Sequence, residues 1–171
     1  MEGEAWNLWE NVVRMRDPVT EDTATLSGTR WGDATAFLPL KAVLVRDRGV
    51  YTFPRRWRYT WEDWFDFADA VAQIARDDLG GSLDSVHHYA GVVPVVRALP
   101  GETWVGSPVG GMGVVGWGIL VFLQSLPDGS IFTHELGHNL SLEHAPAGTR
   151  GCPTPTTPTR TAPPGPGTWT A

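Results

Sequence analysis

The stretch Thr133-His134-Glu135-Leu136-Gly137-His138-Asn139-Leu140-Ser141-Leu142-Glu143-His144 constrains this chain more than any other. Two histidines four residues apart share a face on a helix, one turn apart, and there they suit two neighbouring positions of a tetrahedral metal. Glu135 stands beside the pair, where a carboxylate can take a proton from water that a metal has polarised. His144, six residues beyond His138, joins them only if the helix ends in between and the chain folds back. The sequence therefore calls for a helix over about residues 131–140, a tight reversal, and an open fourth position. A surface helix carrying two solvated histidines is the plainer alternative, and the third histidine argues against it.

HELGHNLSLEH resembles the metzincin zinc-endopeptidase signature HExxHxxGxxH, and is most similar to that of the reprolysin-like members. The resemblance implies that His134, His138 and His144 bind Zn2+, that Glu135 is general base and then acid, and that the substrate is a peptide or protein. It also implies an α+β fold, a metzincin-like N-terminal subdomain in which a twisted mixed sheet packs on a long helix beside the helix that carries HExxH. One motif position departs, because Ser141 stands where the family has a glycine in the left-handed conformation, and a non-glycine residue there costs about 1–2 kcal/mol. A second feature is missing: the family carries a methionine turn beyond the third histidine, and the methionines here are Met1, Met15 and Met112. The resemblance thus implies a domain cut short after its third histidine, with a catalytically inactive zinc-binding remnant as the alternative to a working endopeptidase. A secreted address is implied by the family alone.

Composition narrows the rest. At 171 residues, 42% hydrophobic and 19% charged, the chain fits one soluble domain with a real core. A net charge of -6, with Lys41 the only lysine, offers no basic face and argues against a nucleic-acid partner. No apolar run approaches the roughly 20 residues of a membrane helix, and the acidic start Met1-Glu2-Gly3-Glu4 does not read as an export signal. Cys152 is the only cysteine, so no intrachain disulfide is expected.

Three segments are expected. Residues 1–35 are poorly patterned, with Trp6, Trp9, Val12 and Val13 suggesting a short amphipathic turn or two before loops. Residues 36–150 hold the catalytic subdomain. Residues 151–171, rich in Pro, Thr and Gly, read as a disordered tail. Within the subdomain, residues 36–45 read as a buried strand, Asp47-Arg48-Gly49 as a turn, and residues 50–53 as a short strand. Arg55, Arg56 and Arg58 read as a solvated basic loop.

Thr60, with Asp63 at capping-box distance, opens a helix whose stripe is Trp61, Trp64, Phe65, Ala68, Val71, Ala72, Ala75 and Leu79, and Gly80-Gly81 ends it. Residues 86–96 read as a strand that points His87 and His88 to opposite faces, one packed and one exposed. Residues 113–123 read as a further strand whose glycines at 113, 116 and 118 suggest bulges or close backbone approach. By the family resemblance that strand is the edge where peptide adds; a core strand is the alternative. Asp128 or Ser130 is expected to cap the metal-binding helix, with Ile131, Leu136 and Leu140 as its anchors.

Overall fold

A computed structural model describes residues 6–81, 87–103, 107, 109–124, 129–142 and 144, and the backbone of 169–170. The expected tail apart from 169–170, Cys152, Glu143 and the Asp128 cap lie outside the described residues. The fold is α+β. Among the described residues, six strands form one mixed sheet, with two α-helices and two short 3-10 turns around it. In chain order these are β1 (Trp6–Arg16), β2 (Leu40–Thr52), α1 (Trp61–Asp78), β3 (His87–Val93), β4 (Gly111–Val114), β5 (Ile119–Leu123), α2 (Ser130–Asn139) and β6 (Trp169–Thr170). The sheet order is β2-β1-β3-β5-β4-β6. The first four strands in that order run parallel, while β4 is antiparallel to both β5 and β6.

The period-two alternation of the strands sorts the apolar residues to two faces. Val13 and Met15 of β1, Tyr89 and Val93 of β3, and Ile119 and Val121 of β5 pack with α1. Leu8 and Val12, Ala90 and Val92, and Leu120 and Phe122 pack instead with Phe132 and Leu136 of α2 and with the 3-10 turn Trp31–Ala36. The sheet is therefore the middle layer, with α1 on one side and α2 on the other. Met15 and Met112 both belong to the α1 side.

Helix α1 forms where its signals place it. The Thr60 side chain accepts from the Asp63 backbone N–H and the Asp63 carboxylate accepts from the Thr60 N–H, which completes the capping box. Gly80 and Gly81 follow its end at φ 69° and 98°. The buried stripe is shifted from expectation: Trp64, Phe67, Ala68, Val71, Ala72 and Ala75 are buried, whereas Phe65 is half-buried and Trp61 lies 45% exposed. Phe67 escaped the sequence reading because the aromatic cluster 61–67 offers two overlapping stripes.

Four expectations need correction. Residues 6–16 form β1, an interior strand of the sheet, because both of its edges find partners that local periodicity cannot reveal. Residues 40–52 form one continuous strand at the sheet edge, half-exposed rather than buried. Its apparent turn at Asp47–Gly49 is a bulge: Val12 pairs with Asp47 but Arg14 with Val50, so β2 carries one extra residue and Gly49 takes φ 96°. The expected strand 113–123 is a hairpin, β4 and β5 joined through Gly116 and Gly118 at φ 74° and 67°. Finally, Trp169–Thr170 of the tail is strand rather than irregular chain.

The arginine cluster is not a free basic surface. Arg55 pairs with Asp63 and Asp66, and Arg56 with Asp17 and Glu102. Asp17 is fully buried at the end of β1. Burial pushes its carboxyl up, but the backbone N–H groups of Thr20, Trp57 and Val19 outweigh that and hold it below the usual range.

Candidate metal centre

Helix α2 lies against β4 and β5, and glycines on β4 set how closely it can lie. A Cβ on Gly111 would stand 2.8 Å from the Glu135 Cγ, and one on Gly113 would stand 2.6 Å from the Glu135 carbonyl oxygen. Helix and strand are thus in near backbone contact. Gly113 is the close approach that the glycine pattern suggested; Gly111, outside the expected strand, was missed. On the helix's buried side Phe132 and Leu136 enter the core, while Ile131 is half-buried at the cleft. The N-cap is Gly129, without a side-chain cap. A Cβ there would meet the Arg30 carbonyl oxygen at 2.3 Å, so the 3-10 turn passes directly over the helix start.

The helix ends in a Schellman motif. The Leu142 N–H donates to the Gly137 carbonyl at 2.9 Å and the Ser141 N–H to the His138 carbonyl at 2.9 Å. Ser141 takes φ 65°, the left-handed conformation expected at this position. The reversal brings the Leu142 carbonyl 2.8 Å from His138 Nδ1. A carbonyl only accepts, so Nδ1 carries the hydrogen, and in the neutral ring Nε2 is left as a bare acceptor.

That acceptor points at the other two histidines. His138 Nε2 lies 3.0 Å from His144 Nε2, which lies 3.0 Å from His134 Nε2. The fold thereby brings together all three histidines named from the spacing, and among the described residues they are the cluster suited to a metal ion. His87 and His88 stand apart from it on β3, His87 half-buried and His88 buried. One hydrogen on one ring can satisfy a single Nε2–Nε2 contact, whereas a cation satisfies three lone pairs at once, so the donor set fits a metal. Burial, and then electrostatic repulsion from the neighbouring His138 and His144 rings, hold His134 below the usual histidine value, which favours the neutral, ligating form.

Glu135 is buried at 3% exposure beside the histidines. Burial pushes its carboxyl up to about 8, against the opposing effect of a hydrogen bond from the Gly113 N–H. Its Oε2 has no hydrogen-bond partner among the described residues. A buried, unpartnered carboxylate oxygen next to three converging imidazoles is where a cation and a polarised water would offset the burial. In front of these groups opens a cleft of about 660 Å3, lined by Trp61, Val109, Gly110, Gly111, Ile131, His134 and Glu135. Trp61 is a cleft wall that sequence reasoning had assigned to the core.

The profile of the peptidase M66 family matches residues 69–155, just over half of the chain and the part that includes α1 from its middle, β3, β4, β5, α2 and all three histidines. No curated protein and no solved structure matches. The chain belongs to the peptidase M66 family, a family of metallopeptidases.

Proposed function

We propose that this chain is a zinc-dependent endopeptidase of metzincin type, reprolysin-like in its ligand pattern, with His134, His138 and His144 as the zinc ligands and Glu135 as general base. The observation that carries the reading is the convergence of three Nε2 atoms, that of His144 standing 3.0 Å from each of the other two, beside a buried carboxyl with an oxygen unpartnered among the described residues. Nitrogens held at 2.0–2.1 Å around a tetrahedral zinc stand roughly 3.4 Å apart, close to what the side chains already adopt. Three neutral imidazoles also suit zinc better than they suit calcium or magnesium, which prefer oxygen ligands.

When bound, the metal supplies Lewis acidity, polarising the scissile carbonyl and acidifying water. The chain's own residues do the rest. Glu135 takes the water's proton at Oε2 as the water attacks, then passes it to the departing amine. The Leu142 carbonyl fixes the His138 ring and its tautomer, as outer partners of metal-binding histidines commonly do. The cleft beside Trp61 receives the peptide on one side of the reacting bond.

The test pairs metal content by elemental analysis with hydrolysis of a peptide library by the parent chain and Glu135→Ala. About one zinc per chain, with turnover lost in the variant, is the expected result. Zinc without turnover in either form would mean an inactive zinc-binding remnant. Absence of zinc would overturn the reading.

A further inference from the structure

The edge of β4 beside the metal centre is already occupied. Trp169–Thr170 pairs with it antiparallel, Trp169 opposite Val114 and Thr170 opposite Gly113, and this strand closes the sheet on that side. Gly113 is the residue whose missing side chain lets Glu135 and His138 approach, so β6 pairs with the very strand against which the reactive helix packs. The pairing also has a direction. From Trp169 to Thr170 the chain advances from Val114 to Gly113, and hence toward Gly111 and the open cleft.

We propose that the segment containing Trp169–Thr170 is a built-in occupant of the strand-pairing site on β4, which an extended peptide must displace to reach the metal centre. The identity of the competitor as substrate rests on the peptidase reading above; the occupancy itself does not. Two physical arguments support exchange over permanent pairing. A two-residue strand is far shorter than the usual 5–6 residues, so a peptide pairing along the whole of β4 and the preceding residues gains more ladder bonds than β6 makes. Tethering compensates in part: the 24 residues between His144 and Trp169 hold the segment at an effective concentration on the order of millimolar. The segment therefore excludes weak or dilute peptides and yields to ones that engage the edge fully.

The experiment compares the full chain with a chain ending at Thr168, and with the full-length variant Thr170→Pro, which disfavours strand pairing without shortening the chain. A fluorescein-labelled peptide with the sequence of residues 163–171, Pro-Pro-Gly-Pro-Gly-Thr-Trp-Thr-Ala, is titrated into each. The expected result is binding at least ten-fold tighter to both altered chains. Amide exchange over residues 111–114 taken together should be faster in both and should slow again when the peptide is added. For a hydrolysed peptide, KM should fall several-fold with kcat unchanged. Equal peptide affinity and equal exchange in all three chains would overturn the proposal. If no chain hydrolyses any peptide, the peptidase reading fails while binding and exchange still decide the occupancy; hydrolysis at one common KM would sink the occupancy and leave the peptidase reading intact.

Discussion

Gly113 and Glu135 are joined by an absence: a Cβ on the glycine would lie 2.6 Å from the glutamate's backbone carbonyl and 3.0 Å from the His138 Cβ. Neither neighbour is the far end of a flexible side chain, so α2 itself would have to move. Gly113→Ala should destabilise the fold by about 1–3 kcal/mol, typical of overpacking. For a chain of this length each kcal/mol lowers Tm by about 2–4 °C. Because the displaced backbone carries Glu135 and His138, zinc affinity should fall together with Tm. Calorimetry and a chelator competition measure the two, and a variant that keeps both values would show that strand and helix are not in hard contact.

Ser141 offers the opposite case. It holds φ 65° at the C′ position of the Schellman motif, where glycine is favoured. Ser141→Gly relieves the left-handed strain but frees the unfolded chain, so the net gain should be about 1 kcal/mol. Ser141→Val should lose stability, since a β-branched residue fits this conformation worse than serine. A urea series on the three chains decides it, and the order Gly, Ser, Val from most to least stable is the expected one.

What could be read in advance follows from how local each signal is. The capping box at Thr60, the glycines after α1 and the HExxH spacing act within a turn or two, and the structure places each at its expected position. The left-handed turn at Ser141 was legible only through the resemblance, whose motif has a glycine in that conformation. Pairing across the sheet was not: β1 joins residues 6–16 to strands that lie tens of positions further along the chain, and its Trp6, Trp9, Val12 and Val13 read as amphipathic turns when only near neighbours are considered. The β2 bulge looked like a turn because Gly49 supplies the same positive φ to both. Gly111 and Trp61 became part of the site only through long-range packing, which composition and periodicity do not encode, while the Leu142 carbonyl arrives through the reversal at the end of α2.

Trp61 stacks on Phe65, with ring centroids 6.0 Å apart, and presents its remaining surface to the cleft. Removing it should widen the cleft without disturbing the histidines. Trp61→Ala is expected to raise KM for peptides several-fold, leave kcat within about two-fold, and shift Tm little, since the side chain is 45% exposed. A loss confined to kcat would instead place Trp61 in contact with the reacting atoms.

Glu10 points into the α2-side core between Leu8 and Val12, fully buried, with neither carboxylate oxygen hydrogen-bonded among the described residues. The titratable residue opposite it in register is His88 on β3, and Val45 flanks it on β2. Burial alone pushes the Glu10 carboxyl well above its ordinary 4.5. The folded chain therefore holds this proton at pH values where the unfolded chain has released it. Its contribution is fully present below about pH 4.5 and is lost as pH rises from there toward the raised folded value. Glu10→Gln removes that slope, and Glu10→Leu also removes the unpartnered polar group. Both variants should be more stable than the parent at pH 7.5, by several degrees in Tm for the leucine, with the advantage shrinking at pH 4.5. Urea midpoints at pH 4.5, 6.0 and 7.5 test this, because a constant difference between parent and Glu10→Gln would mean that the carboxyl is ionised in the folded chain after all.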